Sequence, residues 1–145
     1  MRIYFTIIAL LVIFSTNCGD YSSVPEIGIY CNLPTQNDNP DIYIYDFPDS
    51  QTVGSTIVYA QTQVNTRVYW SSPDSFSVIE NNISINNSII SGFTESDNQN
   101  GIAENTLTLS FQHIGNVVRV VGLVYGEDFS DDGFNSDTLM ILINE

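Results

Sequence analysis

From Ile27 to the C-terminus no stretch holds a 3.6-residue apolar period long enough for a helix. Short runs that alternate apolar and polar residues at every second position recur instead, separated by clusters of Asn, Asp, Ser, Gly and Pro. That pattern confines the chain to strands and turns. The expected strands are Ile27 to Cys31, Ile42 to Phe47, Thr56 to Gln61, Thr66 to Ser71, Phe76 to Ile79, Ile83 to Ile85, Ile89 to Phe93, Thr106 to Phe111, Val117 to Tyr125 and Thr138 to Asn144. In T-L-T-L-S-F, Leu107, Leu109 and Phe111 share one face and are expected in the core. In N-V-V-R-V-V-G-L-V-Y the frame of Arg119 is expected outside, which turns Val118, Val120 and Val124 inward and leaves Gly122 for a bulge or a close approach. Val68 and Trp70 fall on one side of their strand. With no helix to cover a sheet, the remaining architectures are a sandwich or a barrel.

The first residues obey a different rule. Arg2 precedes twelve almost wholly apolar residues, Ile3 to Phe14, and then Ser15, Thr16 and Asn17, the anatomy of a secretory signal. Twelve helical residues reach about 18 Å, short of the ~30 Å hydrocarbon core, so a permanent span is the poorer reading. The expected organisation is a signal peptide over 1–17, a tether over 18–26 and one domain over 27–145. The protein is then exported. Cys18 follows the signal directly, and F-S-T-N-C-G-D resembles a bacterial lipobox, which implies lipidation of Cys18 and attachment to the cell-envelope membrane. Two alternatives stand beside it: a Cys18–Cys31 disulfide in a secreted protein, or neither modification.

Seventeen acids face three arginines and no lysine, and loss of Arg2 with the leader takes the formal charge from −14 to −15. Nucleic acid is excluded as a partner, because binding it requires cations to neutralise phosphates. Anionic lipid would be repelled as well, so membrane association needs the covalent anchor or a partner. The acids either keep an exported domain soluble or bind cations.

The stretches V-G-S-T-I-V-Y, V-Y-W-S-S-P-D, H-I-G-N-V-V-R-V-V-G-L-V-Y-G-E-D and D-T-L-M-I-L-I-N, between Val53 and Asn144, resemble bacterial immunoglobulin-like domains of the PKD type. The resemblance implies an immunoglobulin-like antiparallel β-sandwich acting as a spacer, adhesion or binding module, with no catalytic site to transfer.

The residues themselves offer little chemistry. His113 is the single histidine, expected on a solvent-exposed turn, and neither cysteine has a readable histidine and acid grouping, so nucleophilic and zinc schemes lack their parts. Carboxylates alone could run glycoside hydrolysis, an alternative that seventeen acids make easy to satisfy by chance. No cofactor is called for, with calcium the one ion to consider. In G-E-D-F-S-D-D-G-F-N-S-D, Asp128, Ser130 and Asp132 precede Gly133 with calcium-loop spacing, while Leu139 occupies the place of the bidentate acid. Further ligands would come from Glu127, Asn135 or Asp137. The competing reading is a solvated acidic turn. Asn82 and Asn86 head formal glycosylation sequons, meaningful only in a eukaryote. Tyr43, Tyr45, Tyr59, Tyr69 and Tyr125 are able either to build an aromatic binding face or to pack against a sheet. The expected role is a noncatalytic envelope interaction module with a protein or glycan ligand; a calcium-dependent carbohydrate-binding or adhesive domain is the alternative.

Overall fold

The computed structural model describes residues 24–126 and 133–145, and their regular structure is almost entirely strand. In chain order the strands are β1 (Gly28–Cys31), β2 (Thr35–Gln36), β3 (Asn39–Asp46), β4 (Val53–Gln61), β5 (Arg67–Ser71), β6 (Ser75–Glu80), β7 (Ile83–Ser88), β8 (Phe93–Glu95), β9 (Ile102–Ser110), β10 (Val117–Tyr125) and β11 (Phe134–Asn144). A single 3-10 turn, Phe111–His113, joins β9 to β10. Three strands form one sheet in the order β1-β4-β9, six form a second in the order β2-β3-β11-β10-β5-β8, and β6 and β7 make a hairpin of their own. The two main sheets thus set β1, β4 and β9 against β5, β10 and β11, the immunoglobulin-like division. Its one departure from antiparallel order is the parallel pair β3 and β11.

Alternation explains which side of each strand is buried. Val58 and Ala60 of β4 and Leu107 and Leu109 of β9 meet Val68, Trp70, Val118, Val120 and Ile141 of the larger sheet in a single core. The Arg119 frame faces out, as its alternation requires. Gly122 makes a close approach rather than a bulge: β10 keeps register through it, and a Cβ there would meet Cδ1 of Ile29 at 2.7 Å.

Several local expectations are corrected. Phe111 leaves the strand for the 3-10 turn and is half exposed, because Ser110 ends the alternation by capping that turn. His113 is buried, not exposed. Its Nδ1 accepts from the Ser110 N–H at 3.1 Å, its Nε2 lies 3.1 Å from the Ser75 carbonyl, and its ring meets Phe76 edge-on. Nδ1 thus closes the 3-10 turn on its own cap, and Nε2, carrying the proton, joins the turn to β6. The expected strand from Ile89 contracts to β8, while Ile89 and Ile90 plug the core from a turn.

At the end of the sandwich where β4 and β5 connect, the loops are tied by side chains. Gln61 Nε2 donates to the Asn100 carbonyl at 2.6 Å, and the Thr62 N–H donates to the Gly101 carbonyl at 2.9 Å. Asp97 organises the facing loop, accepting from the N–H groups of Gln99, Asn100 and Ile102. These donors, Asn100 foremost and then Gln99, hold its carboxyl below the ordinary Asp value of 3.8. The stabilisation they give is therefore complete above that value and lost as pH falls through the lower folded one. Asp97→Asn is expected to flatten the acid limb: between pH 5 and pH 2 its denaturation midpoint should fall less than that of the wild type. Parallel slopes would leave Asp97 without a role in acid sensitivity.

Candidate functional site

Strand register assembles an aromatic strip on the solvent side of the larger sheet. Tyr69 lies opposite Phe93 on β8 and Leu123 on β10, and Tyr125 lies opposite Phe134 on β11. All five side chains belong to the outward frame of their strands, because the alternate positions Val68, Trp70 and Val124 are buried. The rings form a continuous row. Phe93 and Tyr69 have centroids 6.0 Å apart, Tyr69 and Tyr125 5.4 Å apart at 82°, and Tyr125 and Phe134 6.3 Å apart at 60°. Edge-to-face contacts of this kind hold the rings against one another without covering them. Phe93 is 54% and Phe134 59% exposed. Tyr69, Trp70, Ser71, Leu123 and Tyr125 line a shallow groove of about 520 Å³.

The electrostatics of this face differ from those of the chain as a whole. Both arginines of the described residues stand on it. The Arg67 guanidinium lies 4.4 Å from the Phe93 ring centre and 3.1 Å from Glu95 Oε1, and a hydrogen bond with the Tyr69 hydroxyl, followed by that to Glu95, raises its pKa further. Arg119 Nε lies 3.8 Å from Asp74 Oδ2, whose carboxylate also accepts from the Arg119 main-chain N–H. Each cation is neutralised locally, so the strip is a nearly uncharged aromatic surface on an acidic molecule. Such a surface binds by shape and apolar contact, and exposed aromatic patches are the parts of a monomer's surface that most often engage a partner.

Of the five tyrosines singled out in the sequence, Tyr69 and Tyr125 join this face. Tyr45 is in the core and meets Phe47 edge-on, Tyr43 is half buried, and Tyr59 stacks on Tyr30 outside the smaller sheet at 5.3 Å. Phe93 and Phe134 escaped the sequence reading.

The other candidate residues fall differently. Cys18, Glu127, Asp128, Ser130 and Asp132 lie outside the described residues. Asp137 is on β11 and is engaged: Oδ2 accepts from the Ile29 N–H at 2.7 Å, linking the two sheets, and Oδ1 accepts from the Thr138 N–H. Asn135 binds the carbonyls of Val24 and Pro25 through Nδ2. Cys31 is a free, buried thiol in β1, pushed up by burial, which a hydrogen bond with the Leu33 backbone offsets in part. Among the described residues no group of three or more His, Cys, Asp or Glu is gathered as for a metal, and no helix is long and apolar enough to cross a membrane.

No protein-family model matches the chain, and no curated protein matches it. Among solved structures, the N-terminal domain of PorA is similar at 8% identity over 81% of this chain and 97% of that one, with a TM-score of 0.40.

Proposed function

We propose that the chain is a noncatalytic interaction module of the bacterial cell envelope, a PKD-like immunoglobulin sandwich held to a membrane by lipid on Cys18. It binds a protein or glycan ligand through the aromatic strip Phe93, Tyr69, Tyr125 and Phe134. That exposed, locally neutral row is the observation that carries the reading, since its rings would otherwise cost solubility without stabilising the core. The anchor is supported by the place of Cys18 directly after the apolar leader and its short polar end.

The test is expression in a host with lipoprotein processing, followed by fractionation and a binding screen of envelope proteins and glycans. Mass spectrometry is expected to find a diacylated Cys18 at the N-terminus, and Cys18→Ser should release the chain from the membrane. Phe93→Ala with Phe134→Ala should weaken binding at least tenfold at unchanged stability. An unmodified N-terminus would remove the anchor, and undiminished binding by the double variant would remove the strip.

A further inference from the structure

We infer that β7 is a pairing strand through which two copies of this chain join edge to edge. The hairpin β6–β7 turns at Asn81 and Asn82, both with positive φ (52° and 63°), as in a two-residue I′ turn. In such a hairpin the pair flanking the turn, Glu80 and Ile83, is hydrogen-bonded, and so is every second pair below it. The main-chain groups of Ser75, Ser77 and Ile79 therefore point out from β6, and those of Ser84, Asn86 and Ser88 point out from β7.

The two edges are treated differently. On β6 the Gln112 side chain mimics a neighbouring strand: its Oε1 accepts from the Ser77 N–H at 3.2 Å, its Nε2 donates to the Ser77 carbonyl at 2.8 Å, and His113 meets the Ser75 carbonyl. On β7 the outward N–H and C=O groups have no hydrogen-bond partner among the described residues, and all six of its residues are exposed. The edge of β9 carries protection: Asn105 Oδ1 caps the Thr106 N–H and the Ile89 carbonyl takes the Thr108 N–H. The strand I-S-I-N-N-S has no charge, no proline and no bulge. It is an open template.

Charge selects the occupant. Copies of so acidic a chain repel through most of their surface, whereas the hairpin carries one acid, Glu80, beside its turn. Antiparallel pairing about a two-fold axis with Asn86 opposite its counterpart uses all the outward groups, Ser84 with Ser88 and Asn86 with Asn86. That register sets the two Glu80 side chains at opposite corners of a four-stranded sheet. The axis stands perpendicular to the sheet and keeps Ile83 and Ile85 of both copies on one side, where the two Ile85 are diagonal neighbours across the seam. An uncharged strand gives a charged foreign partner nothing to pair with, while an identical strand matches it in length and register.

Sedimentation of the full chain in mild detergent at about 0.1 mM is expected to show a dimer, a concentration well above the micromolar constants of modest interfaces. Asn86→Pro removes an N–H that no contact within the fold uses, and should leave thermal stability nearly unchanged while giving a monomer. In a hydrogen-bonded pair the Cα atoms stand about 5.5 Å apart, within disulfide range. Asn86→Cys should thus cross-link most of the chain under mild oxidation, and Ser77→Cys, on the plugged edge, should not. A monomeric wild type, a dimer that survives Asn86→Pro, or equal cross-linking at Ser77 and Asn86 would each overturn the pairing.

Discussion

Trp70→Ala is expected to destabilise the domain by about 3–5 kcal/mol, the usual cost of removing a large core aromatic. The indole is 3% exposed and lies where the inner faces of the two sheets meet. Its Nε1 donates to Thr94 Oγ1 at 2.7 Å, so the ring also fastens β5 to the short edge strand β8. Truncation leaves a cavity too enclosed to collapse and strands the Thr94 hydroxyl, two penalties that add. Because Trp70 stands on β5 between Tyr69 and Ser71, which line the groove, loosening of that strand should propagate to the binding face. Trp70→Phe separates the contributions, restoring most of the volume but not the hydrogen bond, and is expected to recover more than half of the stability. Denaturant melts measure both. A Trp70→Ala change below about 0.5 kcal/mol would place the ring outside the core and dismantle the packing of the two sheets.

The sandwich was legible because its information is local. Period-two alternation placed Leu107, Leu109, Val118, Val120 and Val124 inside without knowledge of which strands pair. What alternation leaves open is pairing across the sequence, and the aromatic strip depends on that. Phe93 matters because β8 lies beside β5, and Phe134 because β11 begins opposite Tyr125, in a stretch that reads as the tail of an acidic loop. Tyr45 and Tyr69 look alike in sequence, yet one is core and the other surface, because a tyrosine in a strand reveals its face only through its neighbours' burial. His113 departs from its expected exposure for a related reason. Q-H-I-G-N is indeed a turn, but β6 folds back over it, and the Ser75 carbonyl, 38 residues away, supplies a contact that no local signal carries. The β6–β7 hairpin extends the lesson. Its turn is written in N-N, while the plugging of one edge by Gln112 is a tertiary accident of where β9 ends.

The second large effect concerns a glycine whose sequence context looks unremarkable. Gly101 has φ +70°, and a Cβ built on it would collide with the Thr62 carbonyl oxygen, a main-chain atom that no rotamer change can move aside. The same peptide units are bound together on their other side, with the Thr62 N–H on the Gly101 carbonyl and Gln61 Nε2 on the Asn100 carbonyl. Relief of the clash must therefore break the contacts that join the loop after β4 to the loop before β9. Gly101→Ala is expected to cost about 2–4 kcal/mol, the sum of left-handed strain and forced displacement. Gly115 is the matched control: its φ is +80° and a Cβ there meets open space, so Gly115→Ala should cost only the strain, about 1 kcal/mol. The difference between the two variants measures the collision alone. Hydrogen exchange adds a local readout, because the Thr62 amide should lose protection in Gly101→Ala and keep it in Gly115→Ala. Equal stability of the two variants, within about 0.5 kcal/mol, would mean that the loops separate freely and that the close approach at Gly101 does not hold this end of the sandwich together.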